Sequence, residues 1–147
     1  MAPMDTLQRF SQLLDRHPLV FLHLVSATAA LLVGAWLLWG RKGDTVHRSV
    51  GWAWVLLMAA AAISAGFIRD YRLPNIAGFT PIHFLVVLVA WQLPRGVLMA
   101  RRGQVAAHRK AMRGLYIGGC VVAGVFTLLP GRFLGSLLWS NLAPLMA

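Results

Sequence analysis

Five histidines are the residues of this chain whose type and spacing favour metal or redox chemistry. Two of them, His47 and His108, end similar basic phrases, RKGDTVHR and RRGQVAAHR. Two others, His23 and His83, lie near the start of apolar stretches, and His17 precedes the first of these stretches. His23 and His47 are 24 residues apart, and His83 and His108 are 25 residues apart. This matched spacing predicts an internal repeat with an offset of 60 residues between the phrases.

Paired imidazoles at one depth in an apolar setting are the axial ligands of haem iron in many b-type cytochromes. The predicted ligands form two pairs, His23 with His83 and His47 with His108. The cofactor predicted from them is haem b, in two copies. Arg48 and Arg109 follow the second pair, and we expect their guanidinium groups to pair with haem propionates, as arginine does with carboxylates generally. A zinc or copper site is less well specified, because two histidines leave the coordination sphere short.

Histidines within membrane spans turn inward and are functional candidates by default. His23 shares a helical face with small residues, among them Ser26, Ala30 and Gly34. Small residues suit close helix approach or leave room for a flat cofactor. Two alternatives stay open for the histidines. His-Arg after a basic loop also fits a headgroup anchor, and a lone His in a span also fits an interhelical hydrogen bond.

The elements that position the histidines are membrane spans. The chain has 147 residues, of which 59% are hydrophobic and 12% are charged, against roughly 25% charged in a globular protein. A water-soluble domain of this size could not bury so much apolar surface, so the sequence predicts one integral membrane domain. The net charge of +10 does not indicate a nucleic-acid partner. The reason is that the basic residues concentrate beside apolar stretches rather than along a polar face.

Four apolar stretches approach the roughly 20 residues that a helix needs to cross a bilayer. The predicted spans are residues 18–40, 49–68, 79–100 and 108–130. Residues 1–17 form an amphipathic segment with Asp5 as its N-cap, and residues 131–147 form an uncharged interfacial tail. The apolar face of the amphipathic segment holds Leu7, Phe10, Leu13 and Leu14. The predicted fold is all-α, an integral membrane four-helix bundle of two repeated two-helix hairpins. A short N-terminal amphipathic helix and a short C-terminal interfacial segment complete it.

The basic residues orient these spans. Nine Lys and Arg flank the two repeated loops against one Asp, whereas five face three Asp on the other side. The positive-inside rule therefore places the loops in the cytoplasm and both termini on the periplasmic or outer side. Membrane lipids are the expected partners, with anionic headgroups next to the loops. Tryptophans at span ends are expected to anchor at the interface: Trp36, Trp39, Trp52 and Trp54.

The HR dipeptide before the second and fourth spans, with a lone His early in the first and third, resembles an uncharacterised family of small bacterial four-helix membrane proteins. The resemblance covers about residues 18 to 130 and implies a bacterial inner membrane, without implying an activity. The histidine placement is also similar to the two-haem core of cytochrome b561-type proteins. That similarity implies electron transfer across the membrane, with a quinone or a redox protein as partner. One departure is that His47 and His108 stand at the very ends of the predicted spans.

Three functions are compatible with these features. The first is a b-type haem protein that carries electrons and acts, if it is an enzyme, as a cytochrome oxidoreductase. The second is a non-catalytic accessory or assembly subunit, which the small-residue helix faces and basic loops favour. The third is a small solute transporter, with which a tandem hairpin repeat is compatible. The sequence contains no phosphate-binding glycine loop, Ser-His-Asp pattern or helical HExxH motif.

Overall fold

The computed structural model describes residues 6–68 and 83–129, with Gly135, Ser136 and Trp139, and it is helical throughout these ranges apart from short turns. A short helix, α1 (Thr6–Arg16), precedes three long ones. The long helices are α2 (Pro18–Trp39), α3 (Thr45–Phe67) and α4 (Phe84–Arg101). A final helical run consists of α5 (Val105–Leu115), a π-helix (Tyr116–Val122) and α6 (Ala123–Thr127).

Three of these helices, α2, α3 and α4, are long and apolar enough to cross a membrane. Only 17%, 22% and 17% of their most apolar windows are buried inside the protein. Large side chains on their outer faces are open, such as Leu32 at 67% and Leu56 at 66% exposure. Such surfaces are stable against lipid, where a helix also satisfies its own backbone hydrogen bonds. The predicted fourth span corresponds to the final run, in which the π-helix interrupts the α-helical pattern.

Two helices begin earlier than the sequence predicted. Helix α3 starts at Thr45 rather than at Ser49, because the Asp44 carboxylate caps it by accepting the backbone N–H of His47 at 2.8 Å. Helix α5 starts at Val105 rather than at His108. Both histidines therefore lie in the first turn of a helix, so they still stand near the ends of these helices.

Both connecting loops turn on a glycine in the left-handed backbone region. Gly43 has φ of 91° and Gly103 has φ of 72°, a conformation that glycine adopts without steric cost. In the first loop, Lys42 Nζ donates to the Leu38 carbonyl at 2.9 Å and covers the end of α2. In the second loop, the Gln104 side chain makes no capping hydrogen bond. The loops thus share the glycine turn and differ in their caps.

The helices pack in chain order, with α1 on α2, α2 on α3, α3 on α4 and α4 on α5, while the π-helix contacts α2 and α4. Trp54 lies in the core at 4% exposure, and its Nε1–H donates to the Ala30 carbonyl at 2.9 Å. The expectation that Trp54 anchors at the interface is therefore wrong. The other three tryptophans expected at the interface are exposed, with exposed fractions of 50% for Trp36, 82% for Trp39 and 54% for Trp52.

The two ends of the chain are described in part. Helix α1 occupies the predicted amphipathic segment, with Leu13 buried and Leu14 exposed. The predicted cap Asp5 and the side chains of Leu7 and Phe10 lie outside the described residues, as do the first residues of the predicted third span. Most of the predicted tail also lies outside them. Within it, Trp139 Nε1–H donates to the Leu128 carbonyl at 3.1 Å.

Candidate functional site

A cavity of about 570 Å³ lies among α2, α3, α4 and α5, at the end of the helices where both loops turn. Its volume falls within the range of roughly 300–1,000 Å³ that small-molecule and cofactor sites occupy. The wall is largely apolar and includes Leu37 of α2 and Val97 of α4. Ligand sites are commonly built this way, with a few convergent polar groups that fix orientation.

His47 from α3 and His108 from α5 both line this cavity. The two side chains are close enough for their charges to influence each other. Each is only partly exposed, which is the expected state of an imidazole that faces a cavity rather than bulk water. The structure therefore brings the predicted pair His47 and His108 to one cavity.

The hydrogen bond of His108 determines which of its ring nitrogens carries the proton. Its Nδ1 lies 2.8 Å from the carbonyl oxygen of Gly96. A carbonyl only accepts, so Nδ1–H donates and the lone pair resides on Nε2. In histidines that bind metals, the ring nitrogen that does not bind the metal almost always donates its proton to such an acceptor. This hydrogen bond fixes the orientation of the ring and its tautomer. His108 is thus prepared to offer Nε2 to a ligand.

His47 differs from His108 in having a buried ring nitrogen without a partner. Its Nδ1 is enclosed and makes no hydrogen bond in the described part of the chain. Its backbone N–H donates to the Asp44 carboxylate, which caps α3 and holds the residue in place but does not support the ring. Buried polar atoms are nearly always paired in folded proteins, and an unpaired one indicates a catalytic role, an unseen water or an unseen ligand.

Cationic side chains surround the same cavity: Lys42, Arg48, Arg101 and Arg109. Arg48 donates weakly to the Gly43 carbonyl at 3.4 Å. Within residues 6–68 and 83–129, none of the four forms an ion pair. The nearby carboxylate of Asp44 is engaged as a helix cap. An anionic group in the cavity would therefore meet unpaired positive charge, and the predicted residues Arg48 and Arg109 both line it.

The other predicted pair is placed differently. His23 Nδ1 lies 2.8 Å from the Ala61 carbonyl and 3.3 Å from Ser64 Oγ. The ring donates to the carbonyl and joins α2 to α3. His83 stands just before α4, and its Nε2 lies 3.0 Å from the Ile68 carbonyl. No hydrogen bond joins the two imidazoles among the described residues. Both rings act as interhelical links, and their role as haem ligands stays a prediction.

The cavity lined by His47 and His108 lies at the end of the helices that carries the basic loops, here called the basic end. Its residues fit a haem better than a bare metal ion. Among the described residues, no group of three or more His, Cys, Asp or Glu could hold a metal ion. Haem carries its own four equatorial nitrogens, so the protein need supply only axial ligands. His47 and His108 offer two imidazoles, the apolar wall suits the ring, and the unpaired cations suit the propionates.

Among the cavity residues that were not predicted as site residues are Tyr116 and Gly34. Tyr116 lines the cavity and is the first residue of the π-helix. Gly34 lies against it, because a Cβ added at Gly34 would stand 2.6 Å from Tyr116 Cδ2 and 2.6 Å from Trp54 Nε1. The sequence signal for Gly34 was only its place among small residues. No pattern of residues in the sequence predicted the π-helix. The Gly118-Gly119 pair within it reduces steric crowding between helices.

A family model described as predicted membrane protein (DUF2306) matches residues 20–134. The matched region holds both loops, the cavity and the four paired histidines. No curated protein and no solved structure matches the chain.

Proposed function

Because the chain belongs to the DUF2306 family of predicted membrane proteins, we propose that it is a membrane haem protein that holds haem b between His47 and His108. The single observation that carries the proposal is the cavity that these two imidazoles share with unpaired cations. The family description states only the membrane, so the proposal rests on the cavity and on the chemistry of its lining.

Each group at the cavity has a definite role in this proposal. His108 presents Nε2, because the Gly96 carbonyl takes its Nδ1 proton. His47 presents a ring whose Nδ1 has no hydrogen-bond partner among the described residues. Arg48 and Arg109 neutralise carboxylates at the mouth, where charge-assisted pairs with guanidinium are stronger than neutral hydrogen bonds. When bound, haem supplies one-electron oxidation and reduction.

The wider proposal is a four-helix bundle of two repeated hairpins, in which the run from Val105 to Thr127 is the fourth span. The glycine turns at Gly43 and Gly103 support the repeat, since both have positive φ after a basic pair. The basic loops face the cytoplasm of a bacterial inner membrane in this arrangement. His23 and His83 would hold a second haem toward the opposite face, and electrons would pass to or from a quinone or a redox protein.

The deciding experiment is a reduced-minus-oxidised absorption spectrum of the detergent-purified protein, expressed with haem available. We expect a Soret band and the sharp reduced bands of a bis-histidine haem. His47→Ala and His108→Ala should each remove the bis-histidine signature of the haem at this cavity, so that only the signal of a second haem at His23 and His83 is left. His17→Ala is the matched control, because His17 is exposed and lies outside the cavity lining. A colourless wild-type protein would refute the proposal.

A second candidate is an accessory protein that binds an anionic lipid in the same cavity. The four cationic side chains that line this largely apolar cavity favour the lipid-binding candidate. The reason is that anionic headgroups are attracted to basic sites at the membrane surface. Native mass spectrometry separates the candidates. A stoichiometric anionic lipid that is lost in Arg109→Ala but kept in His47→Ala, without haem, would favour the lipid.

A further inference from the structure

The inner end of the cavity is closed by two aromatic rings that pack against a glycine. Gly34 is buried on α2, and both Trp54 and Tyr116 approach it closely. A Cβ at Gly34 would stand 2.6 Å from Trp54 Nε1 and 2.8 Å from Tyr116 Cε2, which is closer than real Cβ atoms come. The contacts are with rigid rings rather than with the flexible end of a side chain. A methyl group at this position must therefore displace a ring or the helix.

Tyr116 marks how far the cavity reaches from the basic end. His108, Met112 and Tyr116 are spaced four residues apart on one face of the helix, and all three line the cavity. Two helical turns separate His108 from Tyr116, or about 12 Å at 1.5 Å per residue. The helix changes to π-geometry at Tyr116, and π-segments occur frequently at functional sites.

We propose that Gly34 sets the inner limit of the cavity, because its missing Cβ lets Trp54 and Tyr116 lie back against α2 and leave room for a flat ring system. This inference rests on the proposed function, since it names the shape of ligand that the same site accepts. Gly34 acts through the positions of these two rings, and in this way it determines which shape of ligand the cavity accepts.

Of the two rings, Tyr116 is the one that a larger residue at position 34 would move. Trp54 is almost fully buried and is tied to α2 by its 2.9 Å hydrogen bond to the Ala30 carbonyl. Tyr116 is partly exposed, and its hydroxyl makes no hydrogen bond in the described part of the chain. The Tyr116 ring therefore swings toward the cavity when Gly34 gains a side chain, and it takes up space that the ligand would occupy.

The test uses Gly34→Ala and the double variant Gly34→Ala/Tyr116→Ala. Binding of hemin and of iron-free protoporphyrin IX is titrated in detergent with the full chain. Gly34→Ala is expected to weaken binding of both rings by about tenfold or more, the effect of overpacking a close contact. The double variant should recover part of that loss, since the displaced Tyr116 ring is absent while the close contact with Trp54 remains. Gly114→Ala is the control, because a Cβ there meets nothing within 4 Å and the residue lies outside the lining.

The outcomes separate this inference from the proposed function. If hemin binds no more tightly than iron-free protoporphyrin, and His47→Ala changes neither, then axial ligation fails while the Gly34 pattern still stands. If the wild type binds hemin through its histidines but Gly34→Ala binds as tightly as Gly114→Ala, the role of Gly34 is wrong. A double variant that is folded by circular dichroism but binds no better than Gly34→Ala also overturns it, as does a wild type that binds neither ring.

Discussion

Replacing His47 and His108 by leucine, one at a time, should change the stability of the haem-free protein in opposite directions. The enclosed Nδ1 of His47 has no hydrogen-bond partner within the described ranges, and an unsatisfied buried polar group costs about 1–3 kcal/mol. Because the His47 side chain is partly exposed, we take the lower end of that range. His47→Leu removes the polar atom and is expected to stabilise the protein by about 1 kcal/mol. The Asp44 cap is unaffected, since it uses the backbone N–H.

His108→Leu removes a made hydrogen bond. Its Nδ1 lies 2.8 Å from the Gly96 carbonyl, and such a bond contributes about 0.5–1.5 kcal/mol net. The free energies of unfolding of the two variants should therefore differ by about 2 kcal/mol, with the wild type between them. Both variants should lose the bis-histidine spectrum of the haem at the cavity lined by His47 and His108. Loss of haem binding can therefore be distinguished from loss of stability.

The measurement is equilibrium unfolding in mixed micelles with increasing sodium dodecyl sulfate, followed by far-ultraviolet circular dichroism on protein produced without haem. His17→Leu serves as the control, because an exposed surface substitution stays within about 0.5 kcal/mol of wild type. The assignment of an unpaired ring nitrogen to His47 is refuted if His47→Leu is less stable than the wild type. It is also refuted if His47→Leu and His108→Leu change the free energy of unfolding by the same amount.

Three further predictions concern the loops and their helix ends. Gly43→Ala and Gly103→Ala, at φ of 91° and 72°, should each lower the free energy of unfolding by about 1 kcal/mol. Equal stability of either variant and wild type would contradict the left-handed turn. Asp44→Ala should cost about 1 kcal/mol through loss of the α3 cap, whereas Asp44→Ser should retain most of it. A cysteine placed at the exposed Gln104 should react with an impermeant maleimide in inverted membrane vesicles and not in right-side-out ones. The reverse labelling pattern would place the loops outside.

The membrane-crossing helices could be predicted because hydropathy is a local and additive property of the chain. Helix α2 has the predicted start at Pro18, and α4 ends within one residue of the prediction, at Arg101. The start of α3 was missed because Thr45 to Arg48 is polar and reads as a loop, although Asp44 is a good N-cap. That error extended to Trp54. Counted from Thr45, Trp54 lies in the third turn, away from the helix end, and its ring packs in the core.

The contacts within the site could not be predicted, because they depend on how the helices are rotated against one another. The sequence placed His47 and His108 at one end, but it carried no sign that the Gly96 carbonyl would take the His108 proton. It also treated Tyr116 as an ordinary span residue, since α- and π-helices share the same composition. The approach of Tyr116 to Gly34 arises from the packing of the π-helix on α2.

The two histidine pairs are alike in sequence but unlike in the structure, and the difference identifies the better candidate site. His23 donates through Nδ1 to the Ala61 carbonyl, as His108 does to the Gly96 carbonyl, whereas His83 donates through Nε2 to the Ile68 carbonyl. Their rings contribute to helix packing whether or not a ligand is bound. Ligation of His83 through Nε2 would first have to break its bond to Ile68, a cost that the Nε2 of His108 does not carry. The ring nitrogen of His47 also has no partner among the described residues. We therefore expect a ligand to bind first in the cavity lined by His47 and His108. A protein with one haem per chain should therefore carry it between His47 and His108.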